Sequence, residues 1–262
     1  MTPLETRART GAMSRVNPVA KLAASALIAV PLILTLDVVS AAVALALECV
    51  LFFFAGIGWR EFWARTWPVW LAAPLTGVTI ALYGETSGRI HVEWLLVHIS
   101  DGSLALAGAT TLRVLAVALP SVVLFVTVDP TDLADGLGQT LRLPPRFVLG
   151  ALAGLRMVGL FLDDWRALEL ARRARGVADR GRLRRFLGMA FALLVLSIRR
   201  GAKLSTAMEA RGFGATVRRT WARPARFGWQ EWMLVTAGAT ISAVAILAAV
   251  LTGAWNFILG PS

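Results

Sequence analysis

The sequence predicts an all-α fold, a polytopic membrane helical bundle with five transmembrane helices, or six, and long cytoplasmic helices. Three observations lead there. Hydrophobic residues make up 57% of the 262 and charged residues only 16%, with a mean hydropathy of +0.67; soluble, disordered and collagen-like chains all have lower apolar content. The apolar residues fall into runs long enough to cross ~30 Å of hydrocarbon, and in lipid such runs satisfy their backbone groups as helices. The net charge of +11 is concentrated, with 19 of 27 basic residues between Arg142 and Arg226 beside five acids.

Taken in order, the first run extends from about Val19 to Leu36, behind a polar leader with Arg7, Arg9, Arg15 and Lys21. Small residues near Ala42 and Ala44 would suit signal cleavage. The run is longer than a signal core, however, and a second, from Val38 to Ile57, follows after Asp37, so a membrane hairpin is the more economical reading. The third runs from Trp67 to Tyr83, the fourth from Leu104 to Val128 and the fifth from Trp232 to Trp255. The loop from Gly84 to Gly102 contains Ile90, Val92, Trp94, Leu95 and Leu96 and is expected to form an interfacial helix or part of a sixth span. Trp59, Trp63, Trp67, Trp94 and Trp232 suit an aromatic belt at the span ends.

Basic residues set the orientation. The leader, the loop after the second run with Arg60 and Arg65, and the long basic segment fall on one side; Asp37 and the 84–102 loop, where Arg89 is the one basic residue, fall on the other. The positive-inside rule then puts the N-terminus in the cytoplasm and the C-terminus outside. Three regions result: an N-terminal transmembrane bundle over 1–136, a basic cytoplasmic region over 137–226 and a C-terminal transmembrane helix over 227–262.

Within the basic region, Phe147 to Leu162 and Phe186 to Ile198 are apolar and flanked by arginines, the pattern of long helices lying along a membrane surface or beneath a bundle, with a reentrant or spanning hairpin as the alternative. Asp129, Pro130 and Thr131 read as the cap and first turn of a helix. An internal repeat follows. Leu168, Ala171, Ala174, Arg175 and Gly176 form L-x-x-A-x-x-A-R-G, and Leu204, Ala207, Ala210, Arg211 and Gly212 repeat it 36 residues later, each followed by an apolar residue, Val177 or Phe213. On a helix the leucine and alanines make a smooth stripe that permits close backbone approach, with the arginine at its end. Local capping would account for parts of this: Asp163 and Asp164 as a helix start, Gly176 as a helix end, Thr206 with Glu209 as a capping box. It would not account for five positions matched in register.

The two copies, standing as "ARRARGV" and "AMEARGF", resemble the paired Ala-Arg-Gly-type motifs of the transmembrane T component of energy-coupling factor transporters, the group that includes the cobalt- and biotin-transport membrane subunits. "LPPRFVLGALAGLRMV", "LRVLAVALPSVVLFVTVDPTDLADGL" and "NPVAKLAAS" are similar to the same family, from about Asn17 to Gly214. The resemblance implies a non-catalytic scaffold in the bacterial inner (plasma) membrane. It would join two ABC-type ATPases, which bind the ATP and Mg2+, to a small membrane-embedded S component that captures a vitamin or metal ion. By that analogy Ala174, Arg175 and Gly176, with Ala210, Arg211 and Gly212, couple to the ATPases, while Leu168, Ala171, Leu204 and Ala207 pack the coupling helices. No cofactor is expected on this chain itself. Its lysines, Lys21 and Lys203, both follow alanine, so no G-x-x-x-x-G-K-[ST] phosphate loop exists.

Other chemistry ranks lower. Asp132, Asp135 and Gly136 suggest the D-G motif of a membrane-embedded transferase, but no further aspartates follow before Asp163 to complete an oxygen-ligand shell. His91 and His98 lack convergent metal ligands, and a lone Cys49 excludes a disulfide framework. A membrane-surface scaffold binding anionic lipid or nucleic acid would explain the charge but not the repeat; nucleic acid is not an expected partner. Finally, Glu48 and Arg113 fall inside the second and fourth runs, both roughly 14–15 Å below the outer edge at ~1.5 Å per residue, and are expected to form an intramembrane pair.

Overall fold

The computed structural model describes residues 16–35, 37–54, 58–84, 89–94, 97–126, 128–176, 181–215, 220–221 and 223–255. The leader arginines Arg7, Arg9 and Arg15, the run ends Leu36 and Ile57, the loop leucines Leu95 and Leu96, and Val177 lie outside these. The described elements are α1 (Pro18–Leu34), α2 (Val38–Phe54), α3 (Trp59–Tyr83), β1 (Ile90–Trp94), β2 (Val97–Ser100), α4 (Asp101–Val126), α5 (Pro130–Gln139), α6 (Pro145–Ala174), α7 (Arg182–Ala210) and α8 (Trp229–Leu251). They form two compact units, one of Met1–Leu133 with Arg226–Ser262, the other of Ala134–Ala225.

In the first unit α4 packs against α1, α2 and α3, while α8 covers α1 and α2. Small residues permit these close approaches, which in lipid depend on packing rather than on hydrophobic expulsion. A Cβ on Gly238 of α8 would stand 2.9 Å from the Ala24 carbonyl oxygen of α1, and one on Gly77 of α3 would collide with Thr111 of α4. Ile28, Leu32, Ala44, Ala116, Ile241 and Ala245 form one core cluster, and Phe52, Ala73, Leu115, Leu119 and Val123 another. Large apolar side chains such as Phe53 and Leu251 face outward, as lipid-facing residues do. Asp101–Phe125, Pro145–Ala174 and Trp229–Leu251 are long and apolar enough to cross a membrane; Pro18–Leu34 and Val38–Phe53 are shorter apolar helices.

Helix ends in this unit are closed by specific groups. Asn17 caps α1 by accepting from the Val19 amide at 2.9 Å. The Glu231 carboxylate accepts from the amides of both Asn17, at 3.0 Å, and Gly228, at 2.7 Å, tying the starts of α1 and α8 together. Asp37 caps α2 through the Ser40 amide. Ser100 and Ser103 accept from each other's amides at the start of α4, a reciprocal cap.

Two expectations are corrected here. Among its described residues the 84–102 loop forms neither an interfacial helix nor part of a sixth span: Ile90–Trp94 and Val97–Ser100 pair antiparallel, with an irregularity between Ile90 and Val92. Alternating β-branched Ile90, Val92, Val97 and Ile99 favour that outcome. The third helix begins at Trp59 rather than Trp67, so Arg60 and Arg65 belong to its first turns and not to a loop. Trp59, Phe62, Trp63 and Trp70 stack along that start with ring centroids 5.4–6.3 Å apart.

Asp129, still in the first unit, accepts from the Thr131 amide at 2.7 Å and opens α5, as the sequence suggests; the contacts that follow belong to the second unit. Gln139 then clasps the later chain by donating to the Arg223 carbonyl at 2.7 Å and accepting from the Ala225 amide at 2.8 Å. Trp221 lies against Gly138, where a Cβ would come within 2.7 Å of the indole. α6 is continuous through 30 residues, joining the apolar stretch from Phe147 to Leu162 to the first repeat; α7 does the same for the second.

Candidate functional site

Both repeats end a long helix in the same way. Ala174 and Ala210 are the last helical residues, and Arg175 and Arg211 are the C-caps, with φ and ψ of −88° and 3° and of −91° and 12°. Gly176 and Gly212 follow in the left-handed region at φ +66° and +76°. Gly176 donates to the Arg173 carbonyl at 3.0 Å and Gly212 to that of Glu209 at 2.9 Å; Phe213 adds a bond to Met208 at 2.9 Å, completing a Schellman end on the second copy. A Cβ on either glycine would meet nothing within 4 Å. Glycine is therefore required for its backbone angle rather than for space.

Those ends leave both arginines exposed. Among the described residues neither guanidinium has an ion pair or hydrogen-bond partner. Of the stripe residues, Leu168 and Leu204 are half-buried, while Ala171, Ala174, Ala207 and Ala210 are exposed. The alanine faces are thus bare on both helices.

Several of the neighbouring charges join α6 to α7, while Glu169 also holds Arg173 of its own helix. Arg200 meets both oxygens of Asp164 at 2.8 Å. Glu169 takes Arg185 at 2.5 Å and Arg173 at 2.8 Å, and Arg172 donates to the Gly188 carbonyl at 3.0 Å. Trp165 packs on Phe186 with ring centroids 5.7 Å apart. Asp163 and Asp164 therefore lie inside α6, not at a helix start, and Thr206, which donates to the Ala202 carbonyl, lies inside α7 and not at a capping box. Beyond the junction, α6 and the end of α7 enclose an open, mostly apolar groove of about 580 Å³, on which Arg156 and Arg211 both border.

The expected intramembrane pair is not formed. Glu48 is 1% exposed with neither oxygen hydrogen-bonded. Nη2 of Arg113 is likewise buried without a hydrogen-bond partner among the described residues. Sequence reasoning also missed Asp164 and Arg200 as partners, although each stands four residues before a motif leucine and the 36-residue offset links them.

Across this region the chain matches the family model for CbiQ, cobalt transport protein, over residues 11–221. It belongs to the CbiQ family. Curated relatives bear the name energy-coupling factor transporter transmembrane protein EcfT. The protein from Limosilactobacillus fermentum is 27% identical over 183 residues, 63% of this chain and 68% of its own. That from Lactobacillus helveticus is 28% identical over 204 residues, 73% of each chain, and that from Streptococcus equi 24% over 258 residues, 94% of this chain and 91% of its own. As a CbiQ-family chain it is a transmembrane T component of energy-coupling factor transporters, and both helix-end arginines fall within the matched residues.

Proposed function

We propose that this T component transmits ATP-driven motion from two ABC-type ATPases to an S component that captures a vitamin or metal ion. It carries no catalytic group of its own; ATP and Mg2+ are handled in the ATPases. The N-terminus is cytoplasmic, the C-terminus external, and the location the bacterial inner membrane. The observation that carries this reading is the pair of like helix ends, each holding out an exposed arginine that has no ion-pair or hydrogen-bond partner among the described residues, beside a bare alanine face. A guanidinium stays charged and makes forked hydrogen bonds to carboxylates or carbonyls in a partner groove, which suits a docking anchor better than lysine would.

Buried in such a groove, one anchor is worth on the order of 2–5 kcal/mol. The double variant Arg175→Glu, Arg211→Glu is therefore expected to insert normally in the membrane, lose both ATPases on copurification and abolish uptake. Alanine at Arg182 or Arg219, outside the motifs, serves as the control. Retention of both ATPases with uptake at the normal rate would show the two-anchor mechanism to be wrong. The purified chain alone is expected to hydrolyse no ATP above background.

A further inference from the structure

The coupling role uses the ends of α6 and α7; the return of the chain from α7 to α8 has a construction of its own. Pro224 fixes its own φ and holds Arg223 before it in extended backbone, so this stretch is stiff from its sequence alone. Gln139, the last residue of α5, pairs with it as a neighbouring strand would. Its amide donates to the Arg223 carbonyl at 2.7 Å and accepts from the Ala225 amide at 2.8 Å. Trp221 against Gly138 closes the same junction. The entry of the chain into the second unit and its exit are thus stapled at one residue.

The residues that follow are gripped within the first unit. Asn17 donates to the Arg226 carbonyl at 3.2 Å, Phe227 packs on the cluster of Val16, Ala20, Leu124 and Leu234, and the Gly228 amide donates to Glu231 at 2.7 Å. Ala225 and Arg226 are adjacent, so no loose residue separates the grip of Gln139 from that of Asn17. A linker that lets its flanks move freely is rich in glycine and serine and unbonded. This one is stiff and bonded on both sides, with no slack to absorb a pull.

We propose that residues 223–228 form a force-bearing strap, which carries movement of the second unit to the starts of α1 and α8, and that Gln139 is its positioning residue. The proposal rests on the coupling role of Arg175 and Arg211 and adds to it a path by which their movement enters the transmembrane helices.

The test uses the full chain coexpressed with its two ATPases and purified in nanodiscs. Acrylodan on Met233→Cys, in a Cys49→Ser background, reports on the second turn of α8, where Met233 is exposed. Trapping with Mg-ATP and orthovanadate is expected to shift its emission. Gln139→Leu, which removes both bonds, should abolish that shift while both ATPases still copurify and hydrolyse ATP. Two glycines inserted between Ala225 and Arg226, which leave every bond in place and add slack, should abolish it equally; a role confined to folding would leave the insertion silent. Persistence of the full shift in either variant overturns the strap, and the insertion decides alone if Gln139→Leu does not assemble. A parent complex that holds its ATPases yet shows no shift overturns the strap and leaves the coupling role standing. A parent chain that holds no ATPase overturns the coupling role, and the strap with it.

Discussion

Asp164 and Arg200 hold the same place in the two repeats, each four residues before the motif leucine, and they pair with each other through both carboxylate oxygens at 2.8 Å. The junction of α6 and α7 is thereby fixed at equivalent points on both helices. The Arg200 side chain is 38% exposed and that of Asp164 17%, so solvent screens the pair and its coupling energy should be about 1 kcal/mol. A double-mutant cycle with Asp164→Ala and Arg200→Ala, read by thermal stability in detergent, should recover that value. The exchange Asp164→Arg, Arg200→Asp should restore ATPase assembly that Asp164→Arg alone weakens.

Gly176 and Gly212 should tolerate asparagine better than alanine, and alanine better than valine, since both adopt positive φ in open space. Each alanine should cost about 1 kcal/mol at its helix end. The order is to be read in uptake assays and ATPase copurification. A reversed order, with valine best, would mean that the glycines serve something other than the turn.

Removing the Glu231 carboxylate strands two amides, those of Asn17 and Gly228, one of them on a residue only 7% exposed. Glu231→Ala should destabilise the protein by about 2–3 kcal/mol, and Glu231→Gln by less because one acceptor remains. The midpoint of thermal aggregation for the purified subunit measures this.

Gly77→Ala should cost about 1–3 kcal/mol by overpacking the α3 and α4 contact. The clash is with the Thr111 hydroxyl, which already donates to the Ala107 carbonyl at 2.8 Å and has little room to turn away. Adding Thr111→Ala should recover most of the loss, because the next atom, the Ala107 carbonyl oxygen, would stand 3.2 Å from the new Cβ. Failure of that rescue would place the cost in the helix backbone.

What could be read beforehand was what repeats along one chain segment. Apolar runs reveal helices because lipid leaves no other backbone solution, and the A-R-G motif revealed its helix ends because the left-handed turn needs glycine. The hairpin of Ile90–Trp94 with Val97–Ser100 was hidden because short apolar stretches of mixed character do not distinguish strand from helix. Contact between Glu48 and Arg113 was not legible for a different reason: depth follows from residue number, whereas contact depends on helix rotation, which packing decides. The Asp164 and Arg200 pair was written in the 36-residue offset, yet two aspartates before an apolar stretch look equally like a helix start.

That pair is one of several ties between the two helices, alongside Glu169 with Arg185, Arg172 with Gly188 and Trp165 with Phe186. Arg175 and Arg211 each lie eleven residues beyond it, about 16 Å at ~1.5 Å per residue, while the opposite arms, back to Pro145 and Arg182, run about 27–29 Å. Because the ties run from Asp164 to Arg172 on α6 and from Arg185 to Arg200 on α7, a stroke applied to either arginine tip would be carried by both helices together. A small closing movement gripped at the two tips would thus reach the start of α6 and of α7 through that shared stretch.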